Sequence, residues 1–286
     1  MNVRQLFEQA PGEVLTTSEL RPYLTRHRLG QLVGKGKLFY DGRGTYRLRH
    51  SDERHAVARE LRGVLSHRSA AEHWRLPLAE RPAVTEVTIA RSRSQVPDRD
   101  DAQIYYRTIG PGERDGDVTT LRRTLLDCAR DIPAPEALAM ADAAVRTGKA
   151  DKGDLIAAAA ELRGPRSGNA RRVMSWIDPR AMSILESVNR GILLDAGITG
   201  IEPQFAVAIS TGHVLHADLG HREARLLIES ESNLAHSGYD KLASDSLRYT
   251  EFAAAGYVVL RFTWLPLMQR RSWVADMVRQ TIKQRS

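Results

Sequence analysis

Residues 226–233, LLIESESN, decide how the C-terminal part of the chain is expected to fold. The apolar run Leu226–Ile228 predicts a buried strand, and two carboxylates follow it two positions apart. Side chains alternate along a strand, so Glu229 and Glu231 are expected to lie on the same face. Two like charges near a core are unfavourable unless a positive group lies between them. The stretch therefore predicts a strand that ends in a charged site.

The segments on either side of this strand alternate between helical and extended patterns. The predicted elements are a helix over 183–197, a strand over 205–209, a strand over 214–219, a helix over 239–254, a strand over 257–262 and a final helix that Leu267 opens after Pro266. A strand, a helix and a second strand in succession favour a right-handed parallel crossover. The sheet is therefore expected to be mixed, with helices packed on it.

Four acidic residues are expected to meet at one end of this sheet. A meander places the strand of Asp218 beside the strand of Glu229 and Glu231, and Glu186 approaches from the preceding helix. Such oxygen ligands suit a hard divalent cation, Mg²⁺ or Mn²⁺, which lowers the pKa of a bound water and stabilises charge on a phosphate under attack. A carboxylate that is not a ligand can hold or deprotonate that water.

Two other interpretations of these side chains stay open. A single Glu on a strand is often a solvated charge that guards a sheet edge. The histidines His216, His221 and His236 suggest zinc instead, although their spacing is irregular and a cysteine cluster is absent from the sequence.

The composition is that of an ordinary globular protein, with 42% hydrophobic and 27% charged residues in a chain of 286. The single cysteine, Cys128, excludes an intramolecular disulfide and fits a reducing compartment. No signal peptide is visible after Met1, and no apolar run approaches the ~20 residues of a membrane helix. We therefore expect a cytoplasmic protein of two or three domains with no membrane partner.

Positive charge is concentrated at the start of the chain. The net charge is +7, and residues 1–50 hold nine Lys and Arg against four Asp and Glu. A basic module on a near-neutral body is typical of nucleic-acid-binding proteins, although a solvated basic surface without a partner has the same composition.

The first fifty residues predict a winged helix-turn-helix. Helices are expected to start at Thr16 and Thr25, and a hairpin is expected over 38–48 around its Asp-Gly turn. In such a module the second helix enters the major groove and the wing meets phosphate or the minor groove. A winged helix that contacts only protein is the alternative. The candidate DNA-binding residues are Arg26, Arg28, Gln31 and Arg43.

Residues 51–179 alternate helix-like and strand-like pieces. Neither a phosphate-binding glycine loop nor a nucleophile motif is visible in them, and Ser66, His67 and Cys128 are interpreted as structural. The predicted elements are strands over 84–89 and 104–107, helices over 121–129 and 135–146, and a flexible basic linker over 163–169.

The first half of the chain resembles the abortive-infection, AbiEi-type antitoxin regulators. The resemblance is carried by the winged helix followed by residues 65–71 (LSHRSAA) and residues 120–127 (TLRRTLLD). It implies transcriptional regulation through the winged helix and offers no catalytic residues in this half.

Residues 180–268 resemble the very-short-patch-repair endonuclease-like branch of the PD-(D/E)XK nuclease superfamily. The resemblance implies a metal-dependent nuclease fold in which the acids at the end of the sheet hold the cation. The matching positions are Glu186, Gln204, Asp218, Glu229, His236, Asp245, Arg248 and residues 256–261, GYVVLR.

The chain departs from the pattern of this branch in two ways. Glu231-Ser232 stands where Asp-Gly is usual, and no lysine occupies the last position of the superfamily motif. Some restriction enzymes of the superfamily carry a similar Glu-x-Glu, so Glu231 either replaces the lysine or marks a domain that has lost catalysis. Arg248 and Arg261 are candidate phosphate contacts, with structural pairing to Asp245 or Glu251 as the alternative.

The sequence therefore predicts an α/β fold (α+β overall) in three domains. These are a winged helix-turn-helix DNA-binding domain over 1–50, an AbiEi-like mixed α/β middle domain over 51–178, and an endonuclease-like mixed sheet flanked by helices over 179–286. DNA is the expected partner, and a second copy of the chain or a toxin-type protein is a further candidate.

The expected function is metal-dependent hydrolysis of DNA phosphodiester bonds. Asp218, Glu229 and Glu231 are the expected ligands of Mg²⁺ or Mn²⁺, and Glu231, His236 and Glu186 are the expected catalytic residues. The alternative is a non-enzymatic transcriptional regulator or antitoxin whose nuclease-like domain is inactive.

Overall fold

The computed structural model describes residues 6–7, 10, 14–34, 38–40, 44–48, 51–93, 99–209, 212–231 and 239–285. Two predicted site residues, Arg43 and His236, lie outside the described residues. Helices and mixed sheets are both present, so the predicted α/β class is confirmed. Every helix in the described part of the chain is too short or too polar to cross a lipid bilayer.

The chain divides into two compact units, Met1–Arg62 and Gly63–Ser286. The helix Ser51–Glu60, which follows the predicted winged helix, therefore lies in the first unit. The second unit contains the rest of the predicted middle domain, from Gly63, and the predicted endonuclease-like domain. The division at residue 178 stays a prediction.

The first unit combines short helices with a three-stranded antiparallel sheet of order β1-β3-β2. The predicted helix starts are confirmed, since Thr16 forms a capping box with Glu19 and Thr25 Oγ1 accepts the N–H of Arg28 at 3.2 Å. The pairing of β2 with β3 confirms the predicted hairpin. The elements are β1 (Val14–Thr16), α1 (Thr17–Leu20), α2 (Arg26–Gly34), β2 (Leu38–Tyr40), β3 (Thr45–Leu48) and α3 (Ser51–Glu60).

The core of the first unit determines which face of α2 is exposed. Leu29 and Leu32 lie on one face of α2 and pack with Leu20. Arg26, Arg28 and Gln31 therefore remain on the exposed face.

The second unit begins with a five-stranded sheet of order β6-β5-β4-β8-β7 and a group of helices. The strands and helices predicted between residues 84 and 146 are confirmed within two residues at each end. The elements are β4 (Val64–Leu65), α4 (His67–His73), β5 (Thr85–Ile89), β6 (Ala102–Tyr106), β7 (Arg114–Asp115), β8 (Val118–Thr119), α5 (Leu121–Asp131), α6 (Ala134–Arg146), α7 (Lys152–Glu161) and α8 (Ser167–Ser175).

The flexible linker predicted over 163–169 is wrong in its second half. The helix α8 already begins at Ser167. Arg130 holds the preceding loop, because its Nη2 donates to the carbonyl oxygens of Arg163 (3.2 Å) and Pro165 (2.9 Å). A residue more than thirty positions away orders this loop, and local composition gives no sign of it.

The second sheet of this unit has the order β12-β11-β10-β9. The strands β9, β10 and β11 are antiparallel neighbours, and β11 runs parallel to β12 with α10 between them in sequence. The mixed sheet and the parallel crossover are therefore confirmed. The elements are α9 (Ile184–Asp195), β9 (Ile201–Ala208), β10 (Val214–His221), β11 (Leu226–Glu231), α10 (Tyr239–Ala254), β12 (Val258–Thr263), α11 (Trp264–Gln269) and α12 (Arg271–Arg285).

The single final helix predicted from Leu267 is wrong, because the chain forms the two helices α11 and α12. Pro266 lies in the first turn of α11, where the N–H that proline lacks is not needed. Arg270 leaves the helical region (φ −133°, ψ 43°), so α12 starts anew after it.

The pairing of β9 with β10 is interrupted at Asp218. Ala217 pairs with Phe205 and Leu219 with Pro203, while Gln204, between them in β9, has φ +52°. Because of this kink, Leu219 packs on the α9 side of the sheet and Ala217 on the α10 side. Asp218 lies at the kink itself.

The helix α9 is fixed between the sheet and α6. Asn189 Nδ2 donates to Ser230 Oγ at 3.0 Å. Arg190 Nη2 donates to Asp142 Oδ2 at 2.8 Å, and both side chains of this ion pair are buried. These contacts hold the first turn of α9, which carries Glu186, next to β11.

Candidate functional site

Asp218 and Glu229 are neighbours on adjacent strands. Leu219 pairs with Ile228, so the next position along the ladder brings Asp218 beside Glu229. Asp218 Oδ2 accepts the backbone N–H of Ser230 at 2.7 Å. Glu229 is only 7% exposed. The two carboxylates therefore lie together in a largely buried position at the carboxyl end of β11.

Glu186 joins these carboxylates from the N-terminal turn of α9. Its Oε2 accepts the N–H of Met182 at 2.8 Å and Nε2 of Gln204 at 2.9 Å. Burial is the main cause of the raised pKa of Asp218 and of Glu229, and the charge of Glu186 adds to it. The structure thus brings together Glu186, Gln204, Asp218 and Glu229, which are far apart in sequence.

Two arginines supply the positive charge beside the two glutamates of β11. Arg248 of α10 donates from Nη2 to Glu229 Oε1 at 2.9 Å and to the carbonyl oxygen of His216. Arg261 of β12 donates from Nε to Glu231 Oε1 at 2.8 Å. Each arginine thus pairs with one glutamate of β11. Of the two acids named in the alternative of structural pairing, Asp245 also acts on Arg261 through its charge.

Glu231 receives a further hydrogen bond, from a residue that sequence reasoning missed. Tyr249 Oη donates to the same Oε1 at 2.9 Å, and the guanidinium of Arg261 stacks 4.2 Å above the Tyr249 ring. Tyr249 directly follows Arg248 in the sequence, and this adjacency was the only signal that pointed to it. Glu231 therefore faces Arg261 and Tyr249.

The site carries more negative than positive charge. Burial, followed by the charge of Glu229, raises the pKa of Asp218 to about 7. Burial also raises the pKa of Glu229, although Arg248 opposes this shift. Glu186, Asp218, Glu229 and Glu231 outnumber the two guanidinium groups beside them. The arrangement would be stabilised by a further cation.

The donors present suit Mg²⁺ with two protein ligands. Among the described residues, no group of three or more His, Cys, Asp or Glu side chains could hold a metal ion. Glu231 is engaged by Arg261 and Tyr249, and the expected ligand set of Asp218, Glu229 and Glu231 stays a prediction. Mg²⁺ is usually held by one or two carboxylates and completes its shell with water and phosphate oxygens. Asp218 and Glu229 fit that requirement.

The two described histidines of the zinc alternative, His216 and His221, lie at opposite ends of β10. His221 Nδ1 accepts the N–H of Ala224 at 3.2 Å. His236, the third histidine, lies outside the described residues.

The exposed face of α2 carries a chain of hydrogen bonds. Arg28 Nη1 donates to Gln31 Oε1 at 3.0 Å, and Gln31 Nε2 lies 2.9 Å from His27 Nε2. These contacts orient two of the predicted DNA-binding residues relative to each other. Sequence reasoning missed His27, although its i, i+4 spacing from Gln31 was a readable signal.

Ser66, His67 and Cys128 lie inside the middle region, which supports their structural interpretation. His67 stacks on Tyr105 and lies between Ser66 Oγ (2.9 Å) and Asp131 Oδ2 (3.0 Å). Ser66 and His67 are completely buried. Burial raises the pKa of the Cys128 thiol, which disfavours a reactive thiolate.

No family model matches this chain. It is similar to Uncharacterized protein Rv2248 of Mycobacterium tuberculosis strain H37Rv and to Uncharacterized protein MT2308 of strain CDC 1551. Each is 30% identical to it over 138 residues, which is 48% of this chain and 51% of the relative. The chain thus spans about half the length of the curated relatives it matches.

Proposed function

We propose that this protein binds DNA through its N-terminal unit and hydrolyses DNA phosphodiester bonds at the acidic site of its second unit, with Mg²⁺ or Mn²⁺. The proposal rests chiefly on one observation, the meeting of Glu186, Asp218 and Glu229 at the carboxyl end of β11 in a partly buried, negatively charged position. The resemblance of residues 180–268 to the PD-(D/E)XK nucleases gives the same residues the same role.

Asp218 and Glu229 would hold the cation, with Glu186 as a supporting acid. When bound, Mg²⁺ supplies a Lewis acid that lowers the pKa of a water and stabilises charge on the phosphate. Glu186 of α9 accepts hydrogen bonds from Gln204 of β9 and from the N–H of Met182, so it also fastens α9 to the end of the sheet. One N–H group of Arg248 donates to Glu229, and the guanidinium has further N–H groups. These would orient a phosphate oxygen next to that carboxylate.

Cleavage is expected to depend on Glu229. We expect Glu229→Gln to lower the rate of Mg²⁺-dependent cleavage about 100-fold, because a ligand is lost while Gln still accepts the hydrogen bond from Arg248. Cleavage of supercoiled plasmid and of single-stranded DNA with Mg²⁺ or Mn²⁺ is the measurement.

Glu202→Gln is the matched control for this assay. Glu202 lies in the same sheet and pairs with Arg222 on the surface, so its loss should leave the rate unchanged. If the wild-type protein cleaves none of these substrates, the nuclease proposal is wrong.

DNA binding is expected to depend on the exposed face of α2. We expect the double variant Arg26→Ala, Arg28→Ala to weaken binding about 100-fold, since each guanidinium contributes about 1–3 kcal/mol when it contacts a base edge or phosphate. Fluorescence anisotropy with a labelled duplex measures the affinity. Unchanged affinity would remove this face as the DNA-binding surface.

A non-enzymatic regulator or antitoxin is the second candidate function. It is favoured by the pairing of Glu231 with Arg261 and Tyr249 and by the missing lysine of the nuclease motif. Such a protein would bind DNA, and a second copy of the chain or a toxin-type protein, without cleaving DNA. DNA binding that persists while cleavage is undetectable would identify this function.

A further inference from the structure

An arginine-rich loop joins α7 to α8 on the second unit. Residues 162–172 contain four arginines and no acidic residue. Arg172 pairs with Asp195 at 2.9 Å. The other three, Arg163, Arg166 and Arg171, are exposed. We call the loop 162–166, together with the start of α8 as far as Arg171, the arginine loop.

Two of these arginines, Arg163 and Arg171, share a backbone carbonyl oxygen as acceptor. Arg163 Nη1 donates to the carbonyl oxygens of Ala160 (2.8 Å) and Leu162 (3.2 Å), and Arg171 Nη1 donates to that of Leu162 (3.1 Å). These carbonyls end α7, where the helix dipole is negative. A guanidinium has five N–H donors, so each side chain keeps donors for another acceptor.

A buried arginine lies directly beneath the loop. Arg130 is 9% exposed and reaches the loop through its Nη2 contacts with Arg163 and Pro165. Its Nε finds no hydrogen-bond acceptor among the described residues. The neighbouring guanidinium of Arg107 adds to the effect of burial and lowers the pKa of Arg130. Positive charge is thus crowded under the loop as well as on it.

Two acids beneath this cluster, Asp127 and Asp131, are buried and already engaged. Asp131 accepts hydrogen bonds from His67 and Arg107, and Arg166 reaches it at 3.4 Å with a side chain that is 62% exposed. Asp127 accepts Nε of Arg123 at 2.7 Å. The exposed acids at the edge of the loop are Glu161 and Asp195, and Asp195 is paired with Arg172. The exposed surface therefore carries more guanidinium than carboxylate groups.

The start of α8 adds to this positive surface. Its N-cap residue, Arg166, has a left-handed backbone (φ 58°, ψ 11°) and makes no side-chain capping hydrogen bond. The N–H groups of Ser167 and Asn169 already donate to the carbonyl oxygens of Gly164 and Arg166. The start of α8 therefore contributes chiefly the positive end of its helix dipole.

We propose that the arginine loop binds the phosphate backbone of DNA, as a contact on the second unit that is independent of base sequence. The inference rests on the proposed DNA-binding function and adds a residue set that lies outside both α2 and the acidic site. The donors are exposed along a loop and a helix start, a layout that suits the regularly spaced phosphates of a polyanion.

The test compares charge-matched variants of the full chain in a salt titration of DNA affinity. We expect Arg163→Gln, Arg171→Gln to weaken binding to a random-sequence duplex about tenfold and to lower the salt slope by about two. The control, Arg222→Gln, Arg279→Gln, removes two exposed arginines that lie outside the loop and should leave the slope unchanged. Thermal unfolding of each variant confirms that the fold is kept.

The outcomes separate this inference from the proposed function. A lower slope for the loop variant alone supports the inference, even if the α2 variant binds like wild type. A wild-type slope for the loop variant, or an equal loss in the control, overturns the inference while binding through α2 stands. A wild-type protein that does not bind DNA overturns both.

Discussion

Asp218→Asn is expected to raise the free energy of unfolding at about pH 8 by about 2–4 kcal/mol. Burial and the charge of Glu229 raise the pKa of Asp218 to about 7. The unfolded value is about 3.9, and each pKa unit corresponds to about 1.4 kcal/mol. Asn keeps an acceptor for the Ser230 N–H but carries no charge. Urea unfolding of both proteins measures the difference.

The pH dependence of this effect has a definite sign. The folded-state pKa of Asp218 is raised, so the wild-type protein loses stability as pH rises from about 4 to about 7. The gain of Asp218→Asn is therefore expected at about pH 8 and should vanish towards pH 4. Asp276→Asn, which breaks an exposed pair with Arg279, should change stability by less than about 1 kcal/mol at both pH values. An Asn variant less stable than wild type at the higher pH would contradict the prediction.

The same variant connects stability with the proposed cation site. A cation held by Asp218 and Glu229 stabilises the folded state in proportion to its binding. Mg²⁺ is therefore expected to raise the Tm of the wild-type protein and to leave that of Asp218→Asn nearly unchanged. Residues that lower the stability of the free protein are common at positions that bind a ligand or take part in a reaction.

Arg190→Leu is expected to lower the free energy of unfolding by about 3–5 kcal/mol, because it leaves the buried carboxylate of Asp142 without its ion-pair partner. Arg190 also donates to the carbonyl oxygen of Trp176 at 2.7 Å, so one change breaks two contacts that tie α9 to its surroundings. Urea unfolding at neutral pH is the measurement.

The double variant Asp142→Asn, Arg190→Leu distinguishes a lost attraction from an uncompensated charge. Asn carries no charge and keeps an acceptor for the backbone N–H of Asp178, which donates to Asp142 Oδ1 at 2.8 Å. The double variant should therefore be more stable than Arg190→Leu. A double variant that is at least as unstable as the single one would show that packing around Arg190, and not its charge, stabilises α9. Because α9 carries Glu186, the single variant should also weaken cleavage.

Local sequence signals predicted the elements whose boundaries depend on nearby residues. Thr16 and Glu19 form a capping box within one helical turn. The apolar residues Leu226–Ile228 form a buried strand, and the two glutamates that follow lie on the same face, as expected, where both contact α10. The parallel crossover between β11 and β12 followed from the order of elements alone. Interactions within one turn or one strand are encoded by residues that stand close together in the chain.

Two predictions of local structure were wrong, and in one of them a distant residue decides. Residues 163–166 have the composition of a linker, and Arg130 of α5 orders them. The final helix was expected to start after Pro266, whereas the proline fits the first turn of α11 and the break comes at Arg270. Composition limits the conformations open to a segment in isolation, and packing against the rest of the fold selects one of them.

Hydrophobic periodicity and charge are local properties, and they were enough to predict the α/β class, the strand that carries Glu229 and Glu231, and the acidic residues near it. How those charges are balanced depends on contacts between distant parts of the chain. The tertiary structure placed Arg248 on Glu229, Arg261 and Tyr249 on Glu231, and left Asp218 partly buried beside Glu186 and Glu229. Several arginines are close enough in sequence to compensate these glutamates, and the fold determines which of them come within hydrogen-bond distance.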